Sequence, residues 1–138
     1  MPRNIPKAIR EEVYNRAEGR CEYCRIPEGY TIYGHQIDHI IARQHGGDDQ
    51  ISNLALACLR CNSKKGSNIS SYDSETSKVV QLYHPRLQYW SHHFVYRDGV
   101  ISGLTVTGKV TSILLDFNDT RQIETRRNVE ALGFSWVS

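Results

Sequence analysis

Four cysteines stand in two C-x-x-C pairs, CEYC at Cys21 and Cys24 and CLRC at Cys58 and Cys61, with none left over. In a reducing compartment disulfides are disfavoured, and paired thiolates at this spacing supply the four soft ligands that tetrahedral Zn²⁺ takes at about 2.3 Å. A redox dithiol is the rival reading, but one pair would suffice for it. Between Cys24 and Cys58 lie 33 residues, more than the roughly 15 to 20 that separate the knuckles of a simple zinc ribbon. Something is therefore inserted between the knuckles, and its histidine, acidic and amide residues are the next place to look for chemistry.

The insert and its flanks read HQIDHIIARQHGGDDQISNLALACLRCNSKKG. Through Asp38 and His39 in DHI, the GG of the loop, Asn53 in SNL and the CNSKKG from the last cysteine, it resembles the HNH motif of the ββα-metal (His-Me) nucleases. It departs from that pattern where Asn62 stands for the second histidine, as in HNN variants. The resemblance implies a metal-dependent endonuclease that hydrolyses DNA phosphodiester bonds and leaves 5′-phosphate and 3′-hydroxyl ends. Such hydrolysis needs a base to activate water and a cation to neutralise charge on the phosphorane and the departing oxygen.

His39 is the expected base, because an unperturbed imidazole is largely neutral near pH 7. Asn53 is expected to accept a hydrogen bond from one of its ring nitrogens and so fix the tautomer. Asp38 and Asn62 offer hard oxygens that suit a catalytic Mg²⁺ or Mn²⁺. Arg43, Lys64 and Lys65 are the expected phosphate contacts. Taken singly, each of these residues has a plainer explanation as a turn, cap or solvated group; their joint order supports the functional reading. His35 is expected to be merely exposed, and His45 either touches phosphate or caps the loop.

Neighbours on a regular strand face opposite ways, so Asp38 and His39 require a bulge or a strand end. The elements around them read as follows. Ile9, Val13 and Ala17, after Pro6 and before Gly19, predict an amphipathic helix leading to the first knuckle. Tyr30, Ile32, Ile37, Ile40 and Ile41 predict a strand, HGGDD a loop, LALAC a second strand, and CLRCNSKKG a helix ending near Gly66.

From about Ser67, SNISSYDSETSK reads as a linker or a hairpin turn, and RDG between aromatic-rich residues and VISGL as a tight hairpin turn. Helices follow over GKVTSILLDF, with Val110, Ile113 and Leu114 on one face, and over DTRQIETRRNVEAL, with Ile123, Val129 and Leu132 aligned less regularly. The tail resembles an extension of one subgroup of bacterial HNH proteins through LYHPR, WSHHF, ISGLTVTGK and RR. Trp90, Phe94 and Tyr96 are expected to pack it on the small core; the functional alternative is a second DNA-contacting face built from Arg86, His92, His93, Arg126 and Arg127.

The expected fold is α+β: a ββα-metal core framed by a four-cysteine zinc site over 1–68, with a hairpin-plus-helices extension over 69–138. At 138 residues the chain is one compact body or a core with an appendage. Its 39% hydrophobic and 23% charged residues are ordinary for a soluble protein. No apolar run approaches the roughly 20 residues of a membrane span. The charged start MPRNIPKAIREE lacks a secretory signal, so a cytoplasmic location is expected. A net charge of +2 permits nucleic-acid binding without arguing for it. DNA is the expected partner, with RNA left open, and the alternative of another class is a zinc-stabilised DNA-binding module without catalysis.

Overall fold

A computed structural model describes residues 4–136. Helix α1 (Lys7–Arg16) follows Pro6 and ends ahead of Gly19, whose φ of +70° suits glycine. Strand β1 (Gln36–His39) pairs antiparallel with β2 (Leu54–Ala57) in regular register, Gln36 opposite Ala57 and His39 opposite Leu54, and α2 (Leu59–Lys65) follows directly. The expected strand, strand, helix order is present. His39 is the last residue of β1, so the irregularity required at Asp38–His39 is a strand end and not a bulge.

The strand expected to begin near Tyr30 is shorter. Glu28–Tyr30 form a 3₁₀ turn and Ile32 is 94% exposed, because the four residues of β2 match only Gln36–His39. All of β2 is buried, and its alternation sorts the molecule into two packing layers. Leu54 and Leu56 point at α1 and cluster with Ile5 and Val13, flanked by Ile9, Ala17 and Ile37. Ala55 and Ala57, small enough to admit other chains, join the cysteines and the aromatic core.

The extension holds two further two-stranded antiparallel sheets, β3 (Ser70–Asp73) with β4 (Lys78–Gln81) and β5 (Phe94–Arg97) with β6 (Val100–Gly103). The polar SNISSYDSETSK stretch is thus a hairpin turn and not a linker. Asp73 closes it by accepting from the Thr76 amide at 3.2 Å and hydroxyl at 2.6 Å. The RDG turn is as expected, with Asp98 and Gly99 at φ +49° and +85°. Between the hairpins α3 (Trp90–His93) makes one turn; after them come α4 (Val106–Leu114) and α5 (Thr120–Ala131).

Helix α4 is capped by the Thr105 hydroxyl, which accepts from the Gly108 amide at 3.0 Å, and α5 by Asp119, which accepts from Arg121 at 2.9 Å. Such caps are worth about 1 kcal/mol each. Helix α4 lies backbone to backbone on the β5–β6 region: a Cβ on Gly108 would meet the His93 carbonyl oxygen at 2.0 Å. That contact rotates α4 so that Val110, Thr111 and Leu115 are buried while Ile113 is 78% exposed, which splits the face expected from Val110, Ile113 and Leu114. On α5, Val129 and Arg126 turn inward and Leu132 is 70% exposed.

Trp90, Phe94, Phe117 and Trp136 share one buried cluster with all four cysteines, and Tyr96 packs against it, stacked on Trp136 at 5.1 Å. The packing expected of Trp90, Phe94 and Tyr96 is present. Both tryptophans also act as donors: Trp90 Nε1 to the Tyr23 carbonyl at 2.8 Å and Trp136 Nε1 to the Cys24 carbonyl at 2.9 Å. Among the described residues no helix is long and apolar enough to cross a membrane.

Candidate active site and metal centre

The four cysteine sulfurs lie within 4.8 Å of one another, all buried and none in a disulfide. Cys24 Sγ and Cys58 Sγ are 3.8 Å apart, which is about the edge of a tetrahedron whose corners lie 2.3 Å from a central ion. The amides of Cys24 and Cys61 point back at Cys21 Sγ and Cys58 Sγ, each at 3.4 Å. Such donors favour thiolate charge. Crowding by the other thiols, Cys21 first, holds the Cys58 thiol well below its ordinary range, while it raises those of Cys24 and Cys61. The donor set, burial and spacing fit a structural zinc ion, and it is the only cluster of three or more cysteine, histidine or acidic ligands among the described residues.

The second site lies where β1 ends. Asp38, His39, Arg43 and Asn62 line one open cleft of about 310 Å³. A groove of about 600 Å³ along α1 reaches His39 and Arg43 from the other side. Asp38 is 3% exposed; it accepts from the Tyr23 hydroxyl at 2.6 Å and from Lys65 Nζ at 3.2–3.3 Å. Burial raises its carboxyl above the usual carboxylate range, against the pull of the Lys65 ammonium and the Tyr23 hydroxyl. Tyr23 is pushed well above its own range by burial and then by Asp38.

Lys65, expected among the phosphate contacts, is instead 2% exposed. It sits on the inward side of α2 and spends its ammonium on Asp38 and on the carbonyls of His39 at 3.2 Å and Ile40 at 3.1 Å. A lysine buried this deeply requires such partners. Lys64, one residue on, is exposed.

His39 does not meet Asn53. Its Nε2 lies 2.7 Å from Asp49 Oδ1, and Arg43 donates to that same oxygen through Nε and Nη2 at 3.2 and 3.0 Å. Asn53 clamps the loop instead: its Oδ1 accepts from the Ile41 amide at 2.9 Å and its Nδ2 donates to the carbonyls of Ile41 at 3.0 Å and Asp48 at 2.8 Å. All three of these bonds go to the backbone of the loop, while the His39 ring turns to Asp49, so the expected contact of Asn53 with the imidazole is corrected to a loop contact. Gly47 explains the GG pair, since a Cβ there would meet the Ile41 carbonyl oxygen at 1.7 Å.

Asn62 Nδ2 donates to Gln36 Oε1 at 2.5 Å across the cleft mouth. His45 is exposed on the 3₁₀ turn Arg43–His45. His35 is half-buried and not simply exposed, with Nε2 2.9 Å from the Ile26 carbonyl.

The residues considered for a second DNA face have structural partners in the main. Arg86 pairs with Glu22, whose carboxylate also accepts from the Leu56 amide at 2.7 Å. Burial lowers the Arg86 guanidinium to about 10. Arg126 is buried on the carbonyls of Gly99 and Phe117, at 2.7 and 2.6 Å. Arg127 binds the Asp98 carbonyl at 2.9 Å. His93 Nδ1 lies 2.6 Å from Thr105 Oγ1; His92 and Arg127 are the exposed members of the set. Sequence reasoning missed Tyr23 and Asp49. Tyr23 is the Y of CEYC and could be flagged only by its place between two ligands; Asp49 read as a loop acid.

A ββα unit framed by four clustered, buried cysteines defines the class of this centre as a small four-cysteine ββα domain. Residues 21–68 match the HNH endonuclease family model, and the chemistry of that family is that of nucleases. Neither the curated proteins nor the solved structures contain a match to the chain.

Proposed function

We propose that the protein is a metal-dependent endonuclease that hydrolyses DNA phosphodiester bonds, with His39 as the base. The observation that carries this reading is the convergence of Asp38, His39 and Asn62 on one open cleft at the end of β1. A bare DNA-binding module needs neither a positioned imidazole nor a carboxylate beside it.

The donor chemistry fits a hard divalent ion. A carboxylate has about four lone-pair positions; Tyr23 and Lys65 converge on Oδ2 while Oδ1 carries one contact, which leaves Asp38 an oxygen position for the cleft. Asn62 commits its amide nitrogen to Gln36 and so offers its oxygen. Asp38 and Asn62 would hold Mg²⁺ or Mn²⁺, with water and phosphate oxygens making up the rest of the shell. When bound, the ion supplies neutralisation of charge on the phosphorane and the departing oxygen.

The chain's own part is proton transfer and positioning. With Nε2 turned to Asp49, the neutral His39 ring presents Nδ1 as the nitrogen that takes a proton from the attacking water. Arg43, at the junction of cleft and groove, and the exposed Lys64 are the proposed phosphate contacts. Lys65 is not among them. A cytoplasmic location remains part of the proposal.

The test is cleavage of plasmid DNA and of RNA side by side with added Mg²⁺ or Mn²⁺. His39→Ala is expected to lose about 10²- to 10⁴-fold in rate while zinc content and DNA affinity are retained. Asp38→Ala is expected to weaken the dependence on the added ion as well. Cleavage of RNA alone would move the substrate class, and binding without any divalent-dependent cleavage would favour the DNA-binding module.

A further inference from the structure

The geometry points to Asp49 as the positioning residue for the His39 base, a role resting on the nuclease reading above. Three features of the loop between β1 and β2 converge on it. First, Asp49 Oδ1 lies 2.7 Å from His39 Nε2, a distance at which the imidazole N–H donates to a carboxylate in a strong, charge-assisted bond. Second, Arg43 donates twice to the same oxygen, at 3.0 and 3.2 Å, so the carboxylate is itself held in place. Third, the loop returns to His39 only because Gly47 can lie against the Ile41 carbonyl, and it is pinned there by Asn53, which binds Ile41 and the Asp48 carbonyl, one residue before Asp49.

A histidine at a strand end is free to rotate about two side-chain torsions, and a base is effective only if one chosen nitrogen faces the water. Asp49 removes that freedom. By accepting from Nε2–H it selects the tautomer with Nδ1 unprotonated and fixes the ring plane, as a carboxylate does for a histidine held by its other nitrogen. Asn53 then acts at a further remove, through the loop that carries Asp49. The plainer account of Asp49, an ion pair with Arg43 that closes a surface loop, explains the Arg43 contacts but predicts nothing about His39.

The experiment combines kinetics with a signal that does not depend on cleavage. In wild-type protein the His39 ring Nε2–H should appear by NMR as a downfield proton protected from exchange, and Asp49→Ala should abolish it with zinc content unchanged. Asp49→Ala should lower kcat about 10- to 100-fold, the usual effect of losing such a partner, with KM little altered. Asp49→Asn, which keeps an acceptor oxygen, should recover part of the loss. The double variant His39→Ala/Asp49→Ala should cut no more slowly than His39→Ala alone, because a residue acting only through the ring has nothing left to act on.

Additive losses in the double variant, a wild-type rate in Asp49→Ala, or no protected ring proton would each overturn the role of Asp49 while leaving His39 as base. A wild-type protein without divalent-dependent cleavage, or His39→Ala cutting at the wild-type rate, would overturn the nuclease reading and this inference with it.

Discussion

Replacing Lys65 with methionine separates the inward role of this lysine from the phosphate contact its position in CNSKKG suggests. The ammonium is 2% exposed and donates to Asp38 and to the carbonyls of His39 and Ile40 at 3.1–3.3 Å. Removing it leaves Asp38, 3% exposed, with the Tyr23 hydroxyl to donate to it. Removing one member of a buried ion pair costs about 3 to 5 kcal/mol, because the other charge stays buried without compensation. Methionine retains most of the apolar contact of the lysine stem, so the lower end, about 3 kcal/mol, is expected.

Domains of this kind have about 5 to 15 kcal/mol to lose, so the variant should fold, with Tm lower by about 10 °C. The assay is thermal and urea unfolding at fixed free zinc, since an ion bound to the folded state adds to apparent stability. The deficit should depend on pH with a definite sign. Burial already raises the Asp38 carboxyl above its unfolded value, and Lys65 is the largest pull against that rise. Without Lys65 the folded carboxyl titrates higher still. Between the unfolded value, about 3.9, and that raised folded value the folded state binds more protons, so the variant should regain stability as pH falls through this window. Asp38→Asn in the same chain should recover most of the loss. A Lys65→Met protein within about 0.5 kcal/mol of wild type, whose DNA binding instead weakens with a salt slope smaller by about 1, would refute the buried pair and restore the phosphate contact.

Metal analysis of washed protein should return about one zinc per chain, and Cys58→Ser should lose both the ion and the fold by circular dichroism. Trp136→Phe removes the donor to the buried Cys24 carbonyl and should cost about 1 to 3 kcal/mol, with zinc lost faster to a chelator; unchanged release would mean that the clamp on the first knuckle carries no weight. His84 Nδ1 accepts from the amides of Arg86 and Leu87, at 3.2 and 3.3 Å, and burial lowers its pKa. Its contribution to stability is therefore present above the unfolded histidine value of about 6.5 and is lost as pH falls from there through the lower folded value. His84→Asn should flatten that part of the stability–pH curve, and an unaltered slope would exclude His84 as its source.

The four-cysteine ββα core was legible in the residue order because its signals are local. A C-x-x-C pair places two sulfurs within one turn, so the two pairs by their spacing point to a four-sulfur cluster that could hold a metal ion. The apolar spacing of α1, the turn at RDG and the strand–strand–helix order around DHI and CNSKKG likewise rest on neighbours within a few residues. The single-residue alternation of a strand was enough to require a break at Asp38–His39, and β1 ends there.

Contacts set by distant chain segments were not legible. The strand expected at Tyr30–Ile32 failed because strand length is decided by the partner, and β2 matches four residues. The face of α4 was misjudged because backbone contact at Gly108, not side-chain hydrophobicity, sets its rotation. Lys64 and Lys65 look alike in sequence, yet the tertiary fold turns only the second toward Asp38, 27 residues away in the chain. Asn53 and Asp49 show the same division. Residue type and short spacing alone put an imidazole, a carboxylate and an amide in the insert between the two cysteine pairs, and a second amide just after it. Which of them touch was decided by the path of the loop, where Gly47 lets the backbone fold onto Ile41 and so brings Asp49, rather than Asn53, to the ring of His39.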